Sequence, residues 1–207
     1  MIIAVDGPAA SGKGSLAKRL SAHYTLPHLD TGLLYRAVGQ RLLLEGRSLN
    51  DAEAAISIAQ SFVPEWLRHP NLRSREAGKA ATAVAVIPDV RKALKDFQIA
   101  FTRNPSGAVL DGRDIGTVIA PHADVKLWVT ANADIRANRR FKELVARGQP
   151  VGQPVNESDI LSDLVARDAN DAPNMIVAKD AVIVDTSALT LDEAFAKVLE
   201  ICNRIVA

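Results

Sequence analysis

Short apolar runs alternate along the chain with stretches whose apolar positions recur every three or four residues. Met1-Ile2-Ile3-Ala4-Val5 reads as a buried strand, and Leu16, Ala17, Leu20 and Tyr24 after it mark one face of a helix. Leu26-Pro27-His28-Leu29-Asp30 predicts a second short strand, followed by a helix with Leu34, Val38 and Leu42 on one side. Ala108-Val109-Leu110-Asp111, then 124–130, then Ala181-Val182-Ile183-Val184-Asp185 give three more strands. Thr190 with Glu193 forms a capping box for a last helix, with Leu191, Phe195, Val198, Cys202 and Ile205 expected inward. Five short strands joined by helical crossovers predict an α/β fold, a parallel sheet with helices on both faces. Ligands are then expected outside the carboxyl ends of the strands.

Residues 46–104 contain no strand signal. Asn50 with Glu53 predicts a helix start, and the sequence Phe62-Val63-Pro64-Glu65-Trp66 breaks that helix. Ser74 predicts the cap of another helix, ending near Pro88. Val90, Leu94, Phe97 and Phe101 predict a helix returning to the core. The stretch is a helical excursion between two strands, placed to grip a second substrate. Further on, glycines and prolines at 148–154 mark a loop, and Asn156 caps a helix through Ile160, Leu161, Leu164 and Val165.

Composition narrows this picture. The chain has 207 residues, enough for one compact domain with excursions, and its scarce aromatics (4%) require an aliphatic and alanine core. A net charge of +1 argues against non-specific nucleic-acid or anionic-membrane binding. Cys202 is the only cysteine, so no intrachain disulfide forms, and its place on an apolar helix face suits an inert core thiol. No basic-then-apolar leader opens the chain and no apolar run approaches membrane-spanning length. A cytoplasmic protein is the expectation, monomeric and without nucleic-acid or membrane partners.

The chemistry starts at Gly7-Pro8-Ala9-Ala10-Ser11-Gly12-Lys13-Gly14-Ser15, set between the first strand and the first helix. In that context G-x-x-x-x-G-K means phosphate binding. Glycines let the backbone curl with its N–H groups inward, and the helix N-terminus adds partial positive charge. Lys13 is expected to reach the β- and γ-phosphates of ATP, and a hydroxyl to ligate Mg²⁺. Gly14 follows the lysine directly and the hydroxyl comes at Ser15, a G-K-G-[ST] order that resembles the nucleoside monophosphate kinases. A GTPase would also carry an Asn-Lys-x-Asp base reader, which this chain lacks.

Other clusters fall at strand ends. In Asp30-Thr31-Gly32-x-x-Tyr35-Arg36, the arginine one turn into a helix has two readings, a fork for an acceptor phosphate or a surface cation on a capped helix. Asp111 at the tip of an apolar strand is the arrangement that holds Mg²⁺ through its water shell, and Gly112-Arg113-Asp114-Ile115-Gly116 follows it. Arg136, Arg139 and Arg140 share one helix face, as phosphate ligands or as a solvated basic surface.

Taken together, the loop at 7–15, the stretch 30–36, Ile87-Pro88-Asp89-Val90-Arg91, the block 111–116 and Asp185-Thr186-Ser187 resemble the bacterial cytidylate kinases over nearly the whole chain. The resemblance implies a P-loop NTPase fold with a five-stranded parallel sheet in the order 2-3-1-4-5. It implies a core at 1–45, 91–135 and 180–207, a helical NMP-binding excursion at 46–90 and a short lid at 136–179. The implied reaction is ATP-dependent phosphorylation of CMP and dCMP with Mg²⁺.

Roles follow by position. Thr31, Arg91 and Asp114 match cytosine contacts; Arg36 and Arg113 match ligands of the CMP phosphate; Thr82, Arg167 and Asp171 match contacts to the sugar hydroxyls. Lys13, Arg113, Arg136 and Arg140 are the implied catalytic cations, with Ser15 and Asp111 at Mg²⁺. The chain departs from the family pattern at Asn174, where an arginine is usual, and in a shorter segment at 173–179. Two other readings remain at this point: a P-loop kinase of another small acceptor, another nucleotide or a shikimate-like metabolite, and an inactive ATP-binding regulator.

Overall fold

The computed structural model describes residues 1–146 and 156–206. Five strands, β1 (Ile2–Asp6), β2 (His28–Asp30), β3 (Ala108–Gly112), β4 (Val125–Thr130) and β5 (Val182–Asp185), form one sheet in the order β2-β3-β1-β4-β5. The pairs β1 with β3, β1 with β4 and β4 with β5 are parallel. In register, Val5 faces Asp111 on one side and Leu127 on the other. Central strands of a parallel sheet are covered on both faces, and β3 is buried at every residue.

The chain divides into two compact units, 1–28 with 106–207, and 29–105. The first holds α1 (Lys13–Tyr24), α6 (Ala133–Ala146), α7 (Glu157–Asp171) and α8 (Leu191–Val206) around the strands. Its core joins Ile3 and Val5 of β1, Leu16 and Leu20 of α1, and Val198 and Cys202 of α8. Burial pushes the Cys202 thiol up to about 11, which keeps it protonated and inert. The capping box at α8 is formed: Glu193 N donates to Thr190 Oγ1 at 3.2 Å, and Thr190 N donates to Glu193 Oε2 at 2.8 Å. The inward face of α8 is Ala194, Val198, Ile201 and Cys202, whereas Leu191 and Ile205, expected inward, are exposed at the two ends.

The second unit holds α2 (Gly32–Leu44), α3 (Ala52–Gln60), α4 (Arg75–Ala85) and α5 (Pro88–Thr102). It contains no strand beyond the end of β2, as its sequence predicts. Asp51, not Asn50, caps α3 by accepting from Ala54 N at 3.0 Å. Ser74 caps α4 and accepts from Ala77 N. A Cβ at Gly39 of α2 would come within 2.7 Å of Ala80 Cβ, so these helices approach through small residues, which accounts for the alanines of α4. In α5 the fully buried line is Val90, Leu94, Gln98 and Thr102, one position off the expected one at its end. Phe97 turns instead to the ring of Phe62, edge-on at 5.2 Å.

Candidate active site

The loop leaving β1 is shaped by residues that only small side chains tolerate. Gly7 has φ +147°, and a Cβ there would lie 2.0 Å from the Val129 carbonyl oxygen. Ala10 (φ 59°) and Gly12 (φ 90°) are also left-handed. Such turns point successive amides to the inside of the loop. α1 begins at Lys13 with Gly12 as its cap, a residue with no side chain to cap the helix. Ser11 Oγ is buried with no hydrogen-bond partner. The left-handed loop at a helix start and an orphaned hydroxyl fit an anion held by the loop. Lys13 Nζ reaches the Pro8 carbonyl at a long 3.4 Å, and Ser15 is exposed.

Asp111 is the fourth residue of β3 and is buried. Its Oδ1 lies 2.8 Å from His28 Nε2, and its Oδ2 lies 3.5 Å from where a Cβ at Gly14 would sit. A buried carboxylate beside the loop that carries the Ser15 hydroxyl is an oxygen donor set suited to Mg²⁺. Among the described residues no group of three or more His, Cys, Asp or Glu could hold a metal. Few protein oxygens is the usual pattern for Mg²⁺, which keeps waters and phosphate oxygens as its other ligands.

Asp6 closes β1 and ties it to the turn after β3. Its two oxygens accept from Ile115 N at 2.9 Å and Gly116 N at 2.8 Å, at the start of a π-helical turn (Ile115–Ile119). Burial pushes the carboxyl up from 3.8 to about 6, against the opposing pull of those two amides, with the Asp114 charge adding to the rise. The folded protein therefore holds this proton more tightly than the unfolded chain does. The associated stability is present below the unfolded value of 3.8 and is lost as pH rises through about 6. The stability of the wild type relative to Asp6→Asn is expected to fall by about 3 kcal/mol between acid and neutral pH. Urea unfolding of both proteins across that range measures it, and a constant difference would contradict the shift.

The arginines gather around α7. Arg113 Nε donates to Asp171 Oδ2 at 2.8 Å, and Arg167 Nε stands 3.6 Å from the same oxygen. Burial first, then the Arg113 charge, pushes Arg167 down to about 10, with Arg140 adding to the fall. Arg167 Nε and Asp168 Oδ1 are both buried without a hydrogen-bond partner. Two guanidiniums on one carboxylate oxygen leave positive charge in excess, a setting that favours an anion. Arg136 is buried, with Nε on Ala131 O at 2.9 Å, one terminal nitrogen on Ala9 O at 3.2 Å and the other on Asp168 at 2.7 Å. It ties α6 and α7 to the backbone of the phosphate loop. Arg139 bonds Thr186 and Leu189, and Arg140 pairs with Glu143 at 2.7 Å. The three arginines of α6 thus reach three separate sets of partners. Asn174 lies in a short turn, Ala172–Asn174, directly after α7. The glycine- and proline-rich stretch at 148–154 lies outside the described residues.

The unit 29–105 carries the other predicted residues. Thr31 is buried ahead of α2. Arg36 donates to the carbonyls of Leu72 (2.8 Å) and Ser74 (3.2 Å), which hold its guanidinium against Gly78 of α4. Arg73 pairs with Asp30 at 3.4 Å. Thr82 Oγ1 donates to Gly78 O within α4, and the Arg91 guanidinium lies over the Tyr35 ring at 5.8 Å. Asp6, His28 and Asp168 are site neighbours that the sequence pattern did not reveal. For Asp6 a signal existed, a charged residue closing a buried strand just before the loop.

The sequence pattern of the cytidylate kinase family matches residues 3–204. The chain is 46% identical over 211 residues to a cytidylate kinase of Rhodopseudomonas palustris, covering 100% of this chain and 98% of that one. It is 51% identical over 205 residues to a cytidylate kinase of Methylocella silvestris, covering 97% of this chain and 93% of that one. Among solved structures, an uncharacterized protein from Eubacterium ventriosum covers 98% of each chain with a TM-score of 0.57 at 14% identity, a likeness of fold alone.

Proposed function

The chain belongs to the cytidylate kinase family, and we propose that it transfers the γ-phosphoryl group of ATP to CMP and dCMP, giving CDP and dCDP with ADP. The observation that carries the reading is the uncapped glycine loop at Lys13, with buried Asp111 beside Gly14. The excess positive charge at Arg113 and Arg167 adds a second anion site in the same unit.

The acceptor is a phosphate oxygen, already anionic, so it needs no strong general base. It attacks the γ-phosphorus in line while the bond from that phosphorus to the β–γ bridging oxygen breaks, and the electron pair leaves on ADP. Catalysis is then positioning and charge stabilisation. The loop amides, the Ser11 hydroxyl and Lys13 hold and neutralise the donor phosphates. Arg113 and Arg140 neutralise charge on the transferring group. Arg136 keeps the loop in place through the Ala9 carbonyl. Ser15 and the Asp111 carboxylate would hold Mg²⁺, which would supply positive charge to neutralise the phosphates. Arg36 and Arg113 take the acceptor phosphate, Thr31, Arg91 and Asp114 the base, and Thr82, Arg167 and Asp171 the sugar hydroxyls.

No described helix is long and apolar enough to cross a membrane. The proposal takes the enzyme as a cytoplasmic monomer acting on small molecules, the lid region as 136–179 and the acceptor-binding excursion as 46–90. A coupled assay of ADP release across CMP, dCMP, UMP, AMP and GMP tests the function. Turnover is expected with CMP and dCMP well above the other three. Turnover concentrated on another acceptor would move the chain to the other kinase reading, and none with any acceptor would favour the inactive regulator.

A further inference from the structure

We infer that His28 is a positioning residue for the Mg²⁺ site, its imidazole fixing the Asp111 carboxylate so that one oxygen faces the phosphate loop. The inference rests on the reading that Asp111 engages Mg²⁺. A carboxylate only accepts, so Nε2 donates across the 2.8 Å contact to Oδ1. That bond occupies Oδ1 and sets the rotation of the carboxyl group. Oδ2 is then the nearer of the two oxygens to Gly14, 3.5 Å against 4.0 Å for Oδ1 from where a Cβ would sit, one residue before Ser15.

The backbone brings the histidine there. α1 stops at Thr25, which is left-handed (φ 55°), and Leu26 N returns to Ser21 O at 2.9 Å. Val109 N then donates to Pro27 O at 2.9 Å, which registers the connection against β3 and sets His28 beside residue 111. The pair is enclosed, with the His28 side chain 20% exposed and that of Asp111 4%. Histidines and carboxylates behind a metal ligand orient it, and their loss typically costs about 10–100-fold in metal affinity or activity.

The test titrates ADP into the full chain with and without Mg²⁺, and measures turnover as a function of Mg²⁺. The variants are His28→Leu, His28→Gln, His28→Asn and Asp111→Asn. Gln places an amide donor near the position of Nε2, whereas the Asn donor falls short of it. His28→Leu and His28→Asn are expected to keep Mg²⁺-free ADP binding and the KM for CMP, to need about tenfold more Mg²⁺, and to lose kcat at limiting Mg²⁺. His28→Gln is expected to restore most of the Mg²⁺ response. If His28→Leu does not fold, the contrast between Asn and Gln carries the same reading. An unchanged Mg²⁺ response in His28→Asn overturns the role of His28 when Asp111→Asn loses that response. If Asp111→Asn keeps it too, the assignment of Asp111 to the metal fails first.

Discussion

Lys13→Ala is expected to lower turnover by about 10²–10³ while leaving the unfolding midpoint in urea nearly unchanged. The rate loss is the usual cost of removing a charged group aimed at charge that develops in the transition state. The small effect on stability follows from what anchors α1, the apolar face of Leu16, Ala17 and Leu20, which Lys13 is not part of. The Lys13 charge also helps to keep Asp6 ionised, so the variant should hold the Asp6 proton to higher pH. Lys13→Arg keeps the charge but spreads it over a planar fork, and is expected to recover only part of the rate. Steady-state turnover and ADP binding, measured on protein shown to be folded, separate the two effects. Near-normal turnover in Lys13→Ala would refute the phosphate-loop reading.

What the sequence made legible was local. The strands and most helices followed from runs and periods, because each is set by which face of a short element meets the core. The cap of α3 slipped by one residue, since Asn50 and Asp51 both suit the position and only the backbone at Asp51 brings an oxygen to Ala54 N. The face of α8 failed at its two ends, where Leu191 and Ile205 are exposed. The loop at Gly7 was legible because its chemistry is contiguous. Contacts that complete the site join residues far apart in the chain, His28 to Asp111, Asp6 to Ile115 and Arg113 to Asp171. No periodicity encodes such a contact. The arginines of α6 show the limit from the other side: spacing put them on one face, and the structure sends each to a separate set of partners.

Asp114→Asn is expected to raise UMP turnover relative to CMP by about ten- to a few-hundredfold, with the absolute rate on CMP falling. Cytosine presents an amino donor at position 4, and a carboxylate accepts from it. Uracil presents a carbonyl there, so two acceptors would meet without a proton between them. Leaving a buried polar group unpaired costs about 1–3 kcal/mol, and more when it is charged, which sets the range of discrimination. An asparagine amide donates to the uracil carbonyl and reverses part of that cost. The main chain at Asp114 is fixed independently of its side chain: its carbonyl accepts from Val118 N at 2.8 Å and Ile119 N at 3.3 Å, and Asp6 holds the next two amides. The variant should therefore keep the turn in place, so a change in base preference reports on the carboxylate itself. The competing account is that the Asp114 charge serves only to pair with Arg113 or Arg91 and hold the loop. On that account the variant loses activity on both nucleotides in proportion, and a constant CMP-to-UMP ratio in folded protein decides for it. Steady-state kcat/KM for each nucleotide at saturating ATP and Mg²⁺ makes the comparison, because a ratio of two substrates on one enzyme cancels any loss of active protein.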